Sequence, residues 1–408
     1  MIRLLHFADL HLGIETYGRT DPATNLNTRV GDELHALHTI IDVAIQEHVD
    51  AVLFAGDAYR SKDPNVTLQR EFACELARVI AAEIPMVLLT GNHDVPNASG
   101  RASSVEVFRA LPLQWIKVVD EPQLFLLETR SGPLQVIALP WLSRSLFLKD
   151  QPSTAVSTDE EIMAEISGVA SNWVRNRITE LNAGLPAIAL AHVHLIGGQV
   201  GIERELTFGN AITLSPALFY VPELAYTALG HLHRHQNLGI RRPIVYSGSP
   251  ERLDFGDEGQ PKGFVLLEVE AGRSARWTFR ELPARRFLTI DVALQGEEPA
   301  TEQIMTALAR HDLHAAIVRI RATGTFEQLA ALRHHEISVA AADAFAFVGI
   351  SRIPIEERRV RIAPSGSAPM SIEELLNRYW TSKHIPEERR RLLLQAAKPL
   401  IMLELEGS

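Results

Sequence analysis

Two hydrophobic periods alternate along the start of the chain. Ile2 to Ala8 is rich in consecutive apolar residues and predicts a strand. Arg29 to Glu47 instead sets Val30, Leu34, Leu37, Ile41, Ala44 and Ile45 at helical spacing. Ala51 to Ala55 returns to a short apolar run, Thr67 to Glu83 to a helix, and Met86 to Leu89 to a strand. Strand–helix–strand–helix–strand order implies parallel strands with helices on their faces. Each strand ends in polar residues: Asp9-Leu10-His11, Gly56-Asp57 and Gly91-Asn92-His93-Asp94. Glycine lets the backbone turn sharply there, and the carboxyl ends of parallel strands are where open α/β sheets hold ligands. Asp9 and His11 lie two apart, so an extended segment would project both to one face.

The pattern is less regular afterwards. Ile116–Val119, Leu124–Leu127 and Leu134–Leu139 read as strands, and Thr158 to Leu181 as a long helix. Ala187–Ala191 is a strand ending at His192, and Glu223–Leu229 leads into Gly230-His231-Leu232-His233. Ile244–Tyr246 and Phe264–Val269 are further strands. Composition shifts after Arg280. Strands at Phe287–Val292 and Ile317–Arg321, with helices at Glu302–Arg310 and Phe326–His334, predict a small α+β unit. Ala363 to Pro369 has the Pro, Ser and Gly content of a linker. Ser371 and Glu374 then form a capping box ahead of an apolar stripe of Ile372, Leu375, Leu376 and Tyr379. A second helix starts at Pro386 and carries Leu392, Leu393 and Leu394. The expected division is therefore 1–280, 281–362 and 363–408. The apolar faces of the terminal helices need cover, from the chain's own body or from a partner.

Composition narrows the class. A chain of 408 residues is long for one core, and 46% hydrophobic with 22% charged residues is ordinary for a globular protein. No apolar run is long enough to span a bilayer, and the first residues already form a strand with site residues, so neither a membrane anchor nor a signal peptide is expected. Cys74 is the single cysteine; it rules out intrachain disulfides and suits the cytoplasm. Its position in a helix suggests core packing. The net charge of −10 argues against a nonspecific polyanion binder. That argument is weak, because a carboxylate-rich metal site inflates the acidic count and bound cations reverse its local sign.

The candidate ligands are Asp9, His11, Asp57, Asn92, His192, His231 and His233. Imidazole with carboxylate, and no thiolate, suits Mn, Fe or Zn better than Ca or Mg alone. Seven side chains are too many for one tetrahedral ion and about right for two ions sharing a carboxylate. Asp57, from the middle of the three strands in sequence, is the natural bridge. Two such ions polarise a phosphoryl group and supply a water-derived nucleophile, which points to phosphate-ester hydrolysis. His192-Val193-His194 taken alone is ordinary. His6, His35, His38, His48, His311, His314, His334 and His335 read as surface or structural histidines.

In its order, the series Asp9-x-His11, Gly56-Asp57, Gly91-Asn92-His93-Asp94, His192 and Gly230-His231-x-His233 resembles the calcineurin-like metallophosphoesterase superfamily. More narrowly, the run from Tyr246 to Asp257 (YSGSPERLDFGD), followed by Lys262-Gly263-Phe264, resembles the DNA double-strand-break repair nucleases. The resemblance implies an α/β fold of two packed β-sheets flanked by helices, a small α+β capping domain and a C-terminal helix pair. It implies one ion held by Asp9, His11, Asp57 and His233, and another by Asp57, Asn92, His192 and His231. His93 would be the non-ligand imidazole that protonates the leaving oxygen, with Asp94 orienting it. The implied activity is a dsDNA exonuclease and a single-strand or hairpin endonuclease. The implied cofactor is a pair of divalent ions, Mn²⁺ first, with Mg²⁺, Fe²⁺ or Zn²⁺ as alternatives. The implied partners are DNA and a coiled-coil ATPase bound through the C-terminal helices, with a homodimer inside a heterotetramer. Arg60 stands where some relatives carry a second histidine. Arg60, Lys62, Arg101 and Arg252 are candidate phosphate contacts, with Asp254 and Asp257 orienting Arg252 or closing a turn. A small-substrate phosphodiesterase and a non-catalytic scaffold are the competing readings.

Overall fold

The structure, a computed structural model, describes residues 1–96, 101–142, 158–201, 212–355 and 371–406. The expected linker Ala363–Pro369 lies outside the described residues. In chain order the strands are β1 (Ile2–Phe7), β2 (Ala51–Phe54), β3 (Met86–Leu89), β4 (Ile116–Val119), β5 (Gln123–Leu127), β6 (Leu134–Leu139), β7 (Ala187–His192), β8 (His194–Leu195) and β9 (Thr213–Leu214). They continue as β10 (Tyr226–Gly230), β11 (Gln236–Asn237), β12 (Ile244–Tyr246), β13 (Gly263–Val269), β14 (Arg276–Glu281), β15 (Phe287–Ala293), β16 (Ile317–Gly324) and β17 (Ala346–Pro354).

Two six-stranded sheets stack face to face, ordered β14-β13-β1-β2-β3-β4 and β11-β12-β10-β7-β6-β5. In the first, β1 to β4 run parallel, while β13 and β14 are antiparallel additions. In the second, β6, β7, β10 and β12 are parallel. Buried on both faces, these strands read as continuous apolar runs rather than alternations. Leu4, Leu53, Val87 and Leu89 face Val136, Ile188, Leu190 and Ala228 between the sheets. The other face of β1 and β2, with Leu5, Phe7, Val52 and Phe54, packs under helices Thr28–Gln46 and Val66–Ala81. Asn27 and Asn65 cap these helices by accepting from Arg29 N and Leu68 N. Helix Asp159–Thr179 covers the second sheet with Ile166, Ala170 and Val174.

Cys74 is exposed, contrary to the core position expected for it. Phe72, Leu76 and Val79 take the inward face of its helix, and a residue two positions from Phe72 points away from that face. Strands β14 and β17 were not anticipated either. The sequence Arg276-Trp-Thr-Phe-Arg-Glu281 of β14 alternates because it forms a half-exposed edge, closing the sheet beyond β13.

The parallel sheet β15-β16-β17 forms a separate layer, packed by helices Ala300–Leu308, Phe326–Ala330 and His334–Ala340 around Ile290, Ile304, Val318, Ile320 and Ile337. The single helix expected over Phe326–His334 is two short ones. They separate where Arg333 leaves helical backbone and its N–H donates to Thr301 Oγ1 at 3.1 Å. This layer is fastened to the sandwich by Arg285, whose guanidinium forks onto Asp32 at 2.5 and 2.9 Å and whose N–H donates to Glu251 at 2.9 Å. Tyr17, Phe255 and Phe287 pack edge to face beside it. The terminal helices Ile372–Ser382 and Glu387–Glu406 follow, and the first buries none of its residues. No helix among the described residues is long and apolar enough to cross a membrane.

Candidate metal centre

The loops leaving β1 and β2 are stitched together by main-chain bonds, Asp9 N to Gly56 O at 2.9 Å and His11 N to Asp57 O at 3.1 Å. This crossing corrects the expected extended Asp9-x-His11 segment. Asp9 and His11 have φ of 53° and 49°, so they reach the site from left-handed backbone. Asp57 and His231 join them there, at φ of 61° and 101°. Left-handed conformations of non-glycine residues are costly and persist where the surroundings impose them. Gly91 completes the crossing. A Cβ on it would lie 2.1 Å from Asp57 Oδ1.

The seven candidate side chains from the sequence converge. His11 Nε2 lies 2.9 Å from His233 Nε2, and Asp9 shares their cluster. Asn92 Oδ1 lies 3.0 Å from both His192 Nε2 and His231 Nδ1. Between these two groups, Asp57 Oδ2 is 3.5 Å from His11 Nε2 and 3.5 Å from His192 Nε2. His192 Nδ1 donates to Ala55 O at 2.7 Å, so a neutral ring keeps its Nε2 lone pair for the site. Donors about 2.0–2.2 Å from an ion, set at right angles, lie roughly 3 Å apart. The observed spacings are of that size, and the donor set of imidazole, carboxylate and amide oxygen fits two divalent cations.

Electrostatics agrees. Burial pushes the Asp9 carboxyl up to about 7, with the Asp57 charge adding to it against the pull of nearby imidazoles. Burial, then the neighbouring His233 and His93, hold His11 well below the ordinary imidazole range, in the neutral form that ligates. Divalent cations would relieve the cost of burying the carboxylates.

His93 donates its N–H to Asp57 Oδ1 at 2.8 Å and its Nδ1–H to the Arg60 carbonyl at 3.0 Å. Its ring stands edge-on to His11 with centroids 4.7 Å apart, and burial lowers its pKa against the opposing pull of Asp57. The Asp94 carboxylate makes no hydrogen bond to the His93 ring, in place of the orienting contact expected for it. Its buried carboxylate accepts from Asp57 N (2.8 Å), Gly91 N (2.9 Å), Ala58 N (3.0 Å) and Ser104 Oγ (2.9 Å). Asp94 braces the Asp57 loop, and the carbonyl of Arg60 sets the His93 ring.

The candidate phosphate contacts divide. Arg60 is exposed beside His93, and Lys62 is half-buried with its pKa lowered by burial against the pull of Asp57. Arg101 is exposed and pairs with Asp63 at 2.7 Å. Arg252 is turned inward, contrary to expectation. Its guanidinium donates to the carbonyls of Ala284, Arg285 and Gln260 at 2.9, 3.2 and 2.8 Å, where the second layer joins the sandwich. Asp254 caps a short turn by accepting from Gly256 N, and Asp257 pairs with Lys262 rather than Arg252. Trp141 was missed. Its ring lies 5.1 Å from His231 and 6.1 Å from His192, carried there by a bond from its N–H to Thr90 O. A lone Trp after a strand gives no sequence signal of a site. His6 is buried between the sheets with Nδ1 3.1 Å from Tyr226 Oη, a structural histidine.

A strand-end cluster of this kind on a two-sheet sandwich defines a phosphoesterase. Residues 2–235 match the model of the calcineurin-like phosphoesterases, and the chain belongs to that family. Among its relatives is a subunit of the nuclease SbcCD from Rhodobacter capsulatus, 31% identical over 81% of this chain and 80% of the relative. The corresponding SbcCD protein of Bacillus subtilis is 28% identical over 68% of each. The DNA double-strand break repair protein Mre11 of Sulfurisphaera tokodaii is 27% identical over 72% of this chain and 64% of that one.

Proposed function

We propose that this protein is the metal-dependent nuclease subunit of a DNA repair complex, hydrolysing phosphodiester bonds as a dsDNA exonuclease and a single-strand or hairpin endonuclease in the cytoplasm. The observation that carries the reading is Asp57 Oδ2, equidistant at 3.5 Å from one imidazole nitrogen of each ligand group. Asp9, His11, Asp57 and His233 would hold one ion and Asp57, Asn92, His192 and His231 the other, with Mn²⁺ the cation of choice. Such a pair supplies Lewis acidity toward a phosphoryl group and lowers the pKa of water.

The chain's own residues do the rest. Asp57 Oδ1 is held by the His93 amide, leaving Oδ2 to face both groups. The Arg60 carbonyl holds the His93 Nδ1–H, so it is the imidazolium form that presents an Nε2–H to the leaving sugar oxygen and, on giving it up, returns to the neutral Nδ1–H ring. Arg60, Lys62 and Arg101 offer positive charge to the phosphate backbone.

The unit over 281–362 would cap the DNA, and the segment 363–408 would dock an SbcC-type coiled-coil ATPase, with the nuclease as a homodimer in a heterotetramer. The exposed apolar stripe of Ile372, Leu375 and Tyr379 supports that docking. A small-substrate phosphodiesterase needs neither feature. Incubation with Mn²⁺ and linear or hairpin duplex, beside p-nitrophenyl phosphodiester, tests the choice. Cleavage of DNA that is abolished by Asp57→Asn is expected. Hydrolysis of the small ester alone would overturn the nuclease reading. Truncation after Ala363 is expected to spare basal cleavage and abolish co-purification with the ATPase; retained co-purification would remove the helices from that role.

A further inference from the structure

The run from Tyr246 to Asp257 with Lys262 stands close to the site, yet the side chains placed above turn inward. Tyr246 Oη bonds to Leu195 N and Val193 O, and Arg252 fastens the second layer. Lys262 is the informative member. It is 1% exposed, and its ammonium reaches His233 O at 2.9 Å, Ser249 Oγ at 2.8 Å and Asp257 Oδ1 at 3.0 Å. An ammonium has three protons, and a buried one is retained only when paired and hydrogen-bonded. All three directions are thus accounted for, and one of them ends on the main chain of a candidate metal ligand.

The same carbonyl also accepts from Ser249 N at 3.1 Å. That approach depends on Gly248, at φ +75°, where a Cβ would come within 2.8 Å of His233 O. Asp257 is itself held, accepting from Leu253 N at 3.0 Å. The chain of contacts therefore runs from a fixed turn, through a buried cation, to the carbonyl of His233, whose Nε2 faces His11 Nε2 at 2.9 Å.

We propose that Lys262 is a positioning residue: held by Ser249 and Asp257, it locks the His233 carbonyl directly and so sets the affinity of the ion site formed by Asp9, His11, Asp57 and His233. The inference rests on His233 being a ligand. Groups that orient metal ligands typically govern 10–100-fold in metal affinity. The other ligand group is secured differently, by His192 on the Ala55 carbonyl and by the His231 amide on the Asp9 carboxylate. Loosening His233 should therefore weaken one ion and spare the other.

The test is Mn²⁺ binding to the full chain, followed by titration and by electron paramagnetic resonance. Lys262→Met combined with Asp257→Asn removes the cation without leaving its buried partner charged. Ser249→Ala, which keeps the ion pair, is the milder probe if the double variant does not fold. His233→Ala marks what loss of that site looks like. Wild type is expected to bind two ions with a spin-coupled signal. The double variant should keep one ion at wild-type affinity and bind the other about 10–100-fold more weakly, the coupled signal giving way to that of isolated Mn²⁺. Ser249→Ala should move the same site in the same direction by a few fold. A purely structural ion pair would shift thermal stability and leave both ions in place. Two ions at wild-type affinity in a folded double variant, or in Ser249→Ala where the double variant does not fold, would overturn the proposal. Failure of wild type to bind a coupled pair would instead overturn the ligand assignment beneath it.

Discussion

Asp94→Ala separates two roles for a carboxylate beside the site. The sequence places Asp94 next to His93, but its oxygens accept from three main-chain amides, of Asp57, Ala58 and Gly91, and from Ser104 Oγ, all at 2.8–3.0 Å. Truncation leaves those three buried amides without their acceptor, at roughly 1–3 kcal/mol each. It also relieves the burial that pushes the Asp94 carboxyl up to about 6 from 3.8, a relief of about 3 kcal/mol at neutral pH. The net expectation is a loss of about 3 kcal/mol. Asp94→Asn should lose a similar amount, because one end of an amide presents N–H groups to amides that now donate to oxygen. Urea unfolding in EDTA reads the effect as a lower midpoint at unchanged slope. Mn²⁺ titration should find binding at least ten-fold weaker, since Asp57 loses its brace. Wild-type midpoint and Mn²⁺ affinity, with turnover alone reduced, would refute this account and return Asp94 to His93.

Three further outcomes are expected. His93→Asn should retain both Mn²⁺ ions by titration and lose about 10²–10⁴-fold in turnover; near-native cleavage would remove His93 from proton transfer. His6, whose pKa burial lowers to about 3, binds fewer protons folded than unfolded, so its contribution is complete above about pH 6.5 and is lost as pH falls toward 3. That amounts to stability on the order of 5 kcal/mol, and His6→Gln should flatten the acid slope of the urea midpoint; an unchanged slope would assign it elsewhere. His231→Gly, which relieves a φ of 101°, should keep the metal-free midpoint within about 1 kcal/mol of wild type despite losing a side chain, while Mn²⁺ titration shows one ion lost; a fall of several kcal/mol would mean that the ring, not the backbone, secures the loop.

The site was legible where the physics is local. Each strand is an apolar run because both faces are covered, and the change to Gly, Asp, Asn and His marks where it emerges. Chemistry that depends on direction was not legible. The spacing of Asp9 and His11 suggested an extended pair, but stitching to Gly56 and Asp57 forces both residues into left-handed backbone. Adjacent residues can also face opposite ways, as His93 faces the site and Asp94 the loop beneath it. Arg252 looked like a phosphate contact because a guanidinium can clamp phosphate; of the carbonyls that draw it inward, that of Gln260 is near in sequence, but those of Ala284 and Arg285 come from distant sequence. Edge strands escaped for the opposite reason. With little of its surface buried, β14 alternates apolar and polar residues, while the apolar run that opens β17 is broken by Gly349 and gives way to Ser351-Arg352.

The backbone strain explains why the site sits on this sandwich. Asp9, His11, Asp57 and His231 all hold positive φ, and such residues cost on the order of 1–3 kcal/mol each. The sum is comparable with the whole net stability of an ordinary domain, about 5–15 kcal/mol. No single contact can impose it. The conformation persists because each strained residue is tied across to another loop: Asp9 to Gly56, His11 and His93 to Asp57, Asp57 to Asp94, and His231 to Asp9. A chain of ties of this kind, from the His231 loop through those of Asp9 and Asp57 to that of Asp94, shares the strain among loops that end on rigid parallel strands. It also couples the tied residues, so that loosening Asp9, Asp57, Asp94 or His231 disturbs the others, whereas the His233 carbonyl is held separately by Lys262 and Ser249. Double-mutant cycles along this chain of ties, for instance Asp94→Ala with His231→Gly, should therefore be non-additive in Mn²⁺ affinity, as expected for groups in one bonded network.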